Sequence, residues 1–179
     1  MPVGEPELVP WRTVCVDMVG PYTLKLRMQR DRQTGERKVL KKITLQLLTM
    51  IDPATQWFEA KEILQEDVDA EWVALQLDSV WFCRYPRPRR CIYDNGNEFV
   101  GTEFQELLQS YDVKAVPTTV KNPQTNAVLE RVHQVLGNML RMFELQTFTE
   151  AELENPRLLE SVVANICFAI RSTFHTDLQ

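Results

Sequence analysis

The chain has 179 residues, 44% of them hydrophobic and 25% charged, enough for one domain with a sizeable core. No apolar run approaches the ~18 residues of a membrane helix, and the opening Met1-Pro2-Val3-Gly4-Glu5-Pro6 is not a signal peptide, so an intracellular, non-membrane protein is expected. The net charge of −5 argues against a histone-like nucleic-acid binder, but the charge is unevenly spread: residues 25–42 carry a local +6 and residues 84–90 a further +4.

In chain order, Trp11 to Tyr22 reads as a strand, β-rich at Thr13-Val14-Cys15-Val16, ending at Asp17 and followed by Gly20-Pro21. The basic segment 25–42, with Thr34-Gly35 at its middle, reads as a long hairpin connection. Ile43 to Ile51 is a second strand whose near-continuous apolar run fits burial on both faces. Asp52-Pro53-Ala54-Thr55 is a turn, and Trp57 to Ile63 completes an antiparallel meander. The period then changes. From Asp67 to Tyr85 apolar residues recur at helical spacing, with Asp67 as N-cap and Pro86 as the stop. Arg90 to Tyr93 is a short strand before Asp94-Asn95-Gly96. Thr102 to Tyr111 is a helix, with Thr102 and Gln105 as a capping box. Val113 to Val116 is a fifth strand, and residues 117–125 read as a mobile loop. A long helix runs from about Pro123 to Leu145, and a last one from Ala151 to Arg171, with Pro156 in its first turns. The expected fold is α/β: a mixed five-stranded sheet, three antiparallel strands followed by βαβ units, with helices packed on its faces.

Cys15, Cys83, Cys91 and Cys167 form no C-x-x-C pair, and only His133 and His175 accompany them, so free thiols rather than a structural zinc site are expected. Trp57, Trp72 and Trp81 are assigned to the core. Three acids stand out: Asp17 and Asp94 at strand ends, and Glu130 on the long helix. With Glu130 set at zero and about 100° per residue, Val132, Val135, Leu136, Met139, Leu140 and Phe143 fall between roughly 140° and 280°. Glu130 centres the opposite, polar stripe. Hard divalent cations take oxygen ligands, and two of them about 4 Å apart serve phosphoryl chemistry, so three carboxylates are a candidate metal centre.

Trp11…Asp17-Met18-Val19-Gly20-Pro21-Tyr22, then Asp94-Asn95-Gly96-x-Glu98-Phe99, then Asn122-Pro123-Gln124-Thr125-Asn126-x-x-x-Glu130-Arg131 together resemble the catalytic core of retroviral and LTR-retrotransposon integrases, with 35 residues between Asp94 and Glu130. The basic insert and Leu48-Thr49-Met50-Ile51-Asp52-Pro53-Ala54-Thr55 are similar to the gypsy-type branch. The resemblance spans about residues 10–178, and the expected division is an extension at 1–10 and a core at 11–179. It implies a ribonuclease-H-like fold and Asp17, Asp94 and Glu130 as catalytic ligands of Mg²⁺ or Mn²⁺, two ions with DNA bound. It also implies 3′-end processing and strand transfer on element and target DNA. A homo-oligomer, in the nucleus of a eukaryotic host, is what such an enzyme implies. Lys121, Asn122, Gln124, Asn126, Arg131, His133, Gln134 and Arg141 are the candidate DNA contacts. Ala127 stands where the family usually has Gly. The zinc-binding module before such cores and the basic domain after them are absent, so a core truncated at its C-terminal end is expected. Two alternatives stay open: a ribonuclease-H-like nuclease, and a degenerate core that only binds DNA or protein.

Overall fold

A computed structural model describes residues 9–28, 34–35, 39–63, 68–118 and 123–174. Among these, six strands form one sheet. β1 (Thr13–Met28), β2 (Val39–Ile51) and β3 (Phe58–Ile63) are an antiparallel meander, and β4 (Arg90–Tyr93) and β5 (Lys114–Pro117) add parallel strands in the order β3-β2-β1-β4-β5. The five expected strands are thus present in the expected arrangement. The sixth, β6 (Thr147–Phe148), pairs with the far end of β1 at Arg27 and Met28; two residues are too short a run to show a period in the sequence.

Helices cover both faces. α4 (Pro123–Glu144) and α6 (Leu158–Phe174) bury Val132, Leu136, Leu140, Ile166 and Ile170 against Leu24, Leu26, Leu45 and Leu47. α1 (Ala70–Leu77) and α3 (Thr102–Ser110) bury Val73, Leu77, Phe104 and Leu108 against Val14, Val16, Leu48 and Met50. Adjacent Leu47 and Leu48 go to opposite cores, which is why β2 reads as an unbroken apolar run. Trp81 is buried, and Trp57 and Trp72 are half-buried against the second core.

Four local differences have clear causes. β1 does not stop at Asp17. Between Val19↔Leu47 and Tyr22↔Leu45 it carries an extra residue, a bulge that keeps Tyr22, Leu24 and Leu26 on the α4 side. Gly20 makes the bulge possible: its φ is +106°, and a Cβ there would lie 2.9 Å from the Leu45 carbonyl oxygen. The segment taken for a connection is therefore partly strand, at Lys25–Met28 and Val39–Lys42. The helix expected from Asp67 starts at Ala70, capped by the Asp69 carboxylate on the Trp72 amide, and passes into a π turn at Asp78–Phe82; Asp67 lies outside the described residues.

Thr102 is not a cap, because a short helix α2 (Asn97–Val100) precedes α3 and Gly101 occupies the cap position. Gln105 instead donates to the Phe99 carbonyl at 2.7 Å and the Tyr93 hydroxyl at 3.0 Å. The last helix is split into α5 (Glu150–Glu154) and α6, with Pro156 in the break and a Thr149–Glu152 capping box at the start of α5. No helix among the described residues is long and apolar enough to cross a membrane.

Candidate functional site

β1 pairs with β4 only over Thr13, Val14 and Cys15. Just past that point β4 ends, and β1 runs on with that side unpaired until β6 meets it at Arg27. Asp17 therefore sits mid-strand rather than at a strand end, beside the tip of β4 from which Asp94 projects. A cavity of about 400 Å³ opens there, lined by Asp17, Tyr93 and Asp94 from the sheet, Thr118 after β5, and Asn126 and Leu129 from the start of α4. It lies at the carboxyl end of the parallel strands, where open α/β sheets commonly bind ligands.

Local bonding shapes the rim. The Gly96 amide donates to Asp94 Oδ1 at 3.0 Å, an Asx turn that fixes the exposed Asp94. Gly96 has an ordinary φ of −59°, and the space of its missing Cβ is taken by the Glu98 carboxylate, 2.6 Å from where that atom would be. Thr118 clamps the tip of β4, donating from its amide (2.7 Å) and its hydroxyl (3.0 Å) to the Tyr93 carbonyl.

The acids gather on one side. Asp17 is half-buried, and burial pushes its carboxyl up to about 6, with the negative charges of Asp94 and then Glu98 adding to the rise and a backbone bond from Met18 opposing it. Two carboxylates sharing one cavity are an all-oxygen donor set that suits a hard divalent cation. Asp17 and Asp94 fit that role. Glu130 is exposed on α4 and does not line the cavity, although Asn126 and Leu129 beside it do. Among the described residues no group of three His, Cys, Asp or Glu side chains stands close enough to hold an ion.

The other candidates fall into three groups. Arg131, Gln134 and Arg141 are exposed on the outer face of α4, with Arg141 donating to Asn138 Oδ1 at 3.3 Å. Lys121 and Asn122, within the loop expected over 117–125, lie outside the described residues; Gln124 is in the first turn of α4, its side chain outside them too. His133 turns inward. Its Nδ1 is 4.0 Å from Asp17 Oδ2 and its Nε2 is 3.3 Å from Thr49 Oγ1; burial lowers its pKa.

Sequence reasoning did not single out Thr49 or Thr118. Thr49 was detectable as the one hydroxyl late in the apolar run of β2, fully buried and directly opposite Asp17. Thr118 had no comparable signal. The four cysteines are free, with Cys15, Cys91 and Cys167 buried and Cys83 exposed, and burial holds the Cys15 thiol at about 12.

No family model matches the sequence. A stretch of 54 residues is 39% identical to the Gag-Pro-Pol polyprotein of Squirrel monkey retrovirus, covering 30% of this chain and 3% of that protein. Solved structures match far more of the chain. The HTLV-2 integrase catalytic core domain, a dimeric form in complex with magnesium, aligns with TM-score 0.55 and 18% identity over 90% of this chain and 86% of that one. The BIV integrase catalytic core domain aligns with TM-score 0.58 and 17% identity over 92% and 98%. A chain of the simian T-cell lymphotropic virus intasome, in complex with PP2A regulatory subunit B56 gamma, aligns with TM-score 0.61 and 17% identity over 90% of this chain; the present chain spans 49% of its length. With a meander running into parallel strands and helices on both faces, the chain has the ribonuclease-H-like fold of retroviral integrase catalytic cores.

Proposed function

We propose that this chain is the catalytic core of a retrotransposon-type integrase, a polynucleotidyl transferase acting on DNA with Mg²⁺ or Mn²⁺. The observation that carries the reading is the shared cavity of Asp17 and Asp94, carboxylates from distant parts of the sequence brought together beside the start of α4. Asp17 and Asp94 hold the cation. Glu130, one turn after the cavity-lining Asn126, supplies the third carboxylate. When bound, a pair of such ions favours ionisation of the attacking oxygen and steadies the leaving one. The chain's own residues position the DNA. Arg131, Gln134 and Arg141, exposed along α4, meet phosphate oxygens, and Lys121, Asn122, Gln124 and Asn126 are assigned as further DNA contacts. The reading includes hydrolytic trimming of element ends, joining of the 3′-hydroxyl to target DNA, action as a homo-oligomer and, in a eukaryotic host, work in the nucleus.

The test is cleavage of a pre-branched DNA, the joining reaction run backwards, which demands little end recognition. With Mn²⁺ the parent should resolve the branch. Asp17→Asn, Asp94→Asn and Glu130→Gln should each abolish turnover while leaving the far-ultraviolet circular dichroism unchanged. If Glu130→Gln matched the parent, Glu130 would not be a ligand. The exposed position of Glu130 favours one second reading, a core that binds DNA without chemistry; salt-sensitive binding with no turnover by the parent would establish it.

A further inference from the structure

Asp17 has company on its buried side that the metal-and-DNA reading does not use. Thr49 is its direct partner across the β1–β2 ladder and is fully buried. The Thr49 hydroxyl lies 3.1 Å from the Asp17 carbonyl oxygen and 3.3 Å from His133 Nε2. The other ring nitrogen of His133, Nδ1, faces the Asp17 carboxylate at 4.0 Å. The ring comes from α4 and both its contacts from the sheet, so the three side chains tie α4 to β1 and β2 at the cavity.

One hydrogen decides what this chain of contacts does. The hydroxyl has a single hydrogen and two acceptors within reach, the carbonyl and the ring nitrogen. In a ring with one hydrogen, a hydroxyl donating to Nε2 places that hydrogen on Nδ1, where it points at the carboxylate. A hydroxyl donating to the carbonyl asks for the hydrogen on Nε2 and turns a bare nitrogen lone pair toward a negative oxygen. The two arrangements differ at the carboxylate: with Nδ1 facing an anion, the first is electrostatically favoured. At 4.0 Å the Nδ1–carboxylate contact is not a formed hydrogen bond; such contacts are commonly long in unliganded sites and tighten on loading.

We propose that His133 is a positioning residue: held by Thr49 in the Nδ1–H form, it orients the Asp17 carboxylate toward the cavity instead of contacting DNA. This is the geometry in which an outer imidazole or carboxylate aims a metal ligand, and removing such a partner typically costs about ten- to a hundredfold in metal affinity. It rests on Asp17 being a ligand, as proposed above.

The experiment combines two readouts on the full chain. The ring ¹⁵N shifts of His133 report its tautomer directly, and Mn²⁺ titration followed by electron paramagnetic resonance reports affinity without any DNA substrate. The parent ring should be in the Nδ1–H form, and Thr49→Val should move it toward Nε2–H. His133→Ala should weaken Mn²⁺ binding at least about tenfold, and His133→Asn, which keeps a short donor in reach, should recover part of it. In the branched-DNA assay His133→Ala should raise the Mn²⁺ concentration for half-activity while leaving kcat at saturating Mn²⁺ within about threefold. An Nε2–H ring in the parent, or unchanged Mn²⁺ affinity in a folded His133→Ala, overturns the proposal. Failure of the underlying reading looks different: Asp17→Asn would then bind Mn²⁺ as well as the parent.

Discussion

Replacing Asp52 by Ala should cost the fold about 3 kcal/mol, although Asp52 does not line the cavity and has no part in the chemistry. Its side chain is fully buried in the β2–β3 turn. Oδ2 accepts the Trp11 amide at 3.0 Å, the Thr55 hydroxyl at 2.7 Å and the Thr55 amide at 3.3 Å; Oδ1 accepts the Ala54 amide at 3.2 Å. The two short bonds to a carboxylate are worth roughly 1.5 kcal/mol each at the low end, which applies because water reaches the half-buried donors after truncation. The two longer ones add about 0.5 kcal/mol each. Against this, Trp11 is held at φ +62°, and freeing it returns about 1 kcal/mol of backbone strain. The balance is about 3 kcal/mol, a fall in Tm of roughly 6–12 °C for a chain of this size. Asp52→Asn can offer one oxygen to the three Oδ2 donors but turns its amide toward the Ala54 amide, so its loss should be about half as large. Urea denaturation with matched m-values measures both. A loss under about 1 kcal/mol for Asp52→Ala, or equal losses for the two variants, would show that the turn is not held by these bonds.

The Asp17 carboxyl should titrate near pH 6 and move down in Asp94→Asn, as followed by its side-chain ¹³C signal; an unmoved midpoint would show that Asp94 is not the charge felt. A carboxyl raised in the folded state contributes stability that is fully present below its ordinary value of 3.8 and lost as pH rises through about 6, so chelator-treated protein should be less stable at pH 7.5 than at pH 5 as far as this group is concerned, and Mn²⁺ binding should weaken below about 6 as protons compete. Leu140→Ala, on the buried stripe of α4, should destabilise by about 2–5 kcal/mol in the same denaturation assay. Gly101→Ala should cost about 1–3 kcal/mol despite an ordinary φ, because the new methyl would sit 2.3 Å from the Ala70 Cβ; thermal melts that leave Tm unchanged would mean α1 and α3 separate freely.

Much of the architecture was legible because the apolar period is strong: both faces of β2 are buried, and one stripe of α4. Most of the polar stripe was legible too: Ala127, Glu130, Gln134 and Arg141 are exposed, while Asn126, His133 and Gly137 are half-buried. A helical wheel cannot show which polar residue enters a cavity, since that depends on where the helix crosses the sheet. His133 illustrates this. It lies about 60° from Glu130, only some 20° from the edge of the apolar stripe, and that margin carries it inward to Asp17. The end of β1 was misplaced for a different reason. Gly20-Pro21 is a turn signal in isolation, but here glycine absorbs a bulge and the strand runs on. The caps shifted by two residues at α1 and one at α3 because neighbouring Asp69 and Gly101 compete for the same role as Asp67 and Thr102.

The far end of β1 also bears on the order in which the molecule assembles. β1, β2 and β3 pair with near neighbours in sequence, so this meander closes only short loops and can form early. The last turns of β1 are secured to the rest by contacts of a different range: the Lys25 amide donates to Glu144 Oε1 across 119 residues at 2.7 Å, and Arg27 and Met28 meet Thr147 and Phe148. Those contacts wait until α4 has docked along its full length. The end of α4 and the hairpin then lock each other, and the segment between Asp17 and Leu26 is held at both ends only in the finished fold. In amide exchange the Lys25–Arg27 end of the hairpin should open with the end of α4 as one unit, at lower free energy than Val14–Val16 beside β4.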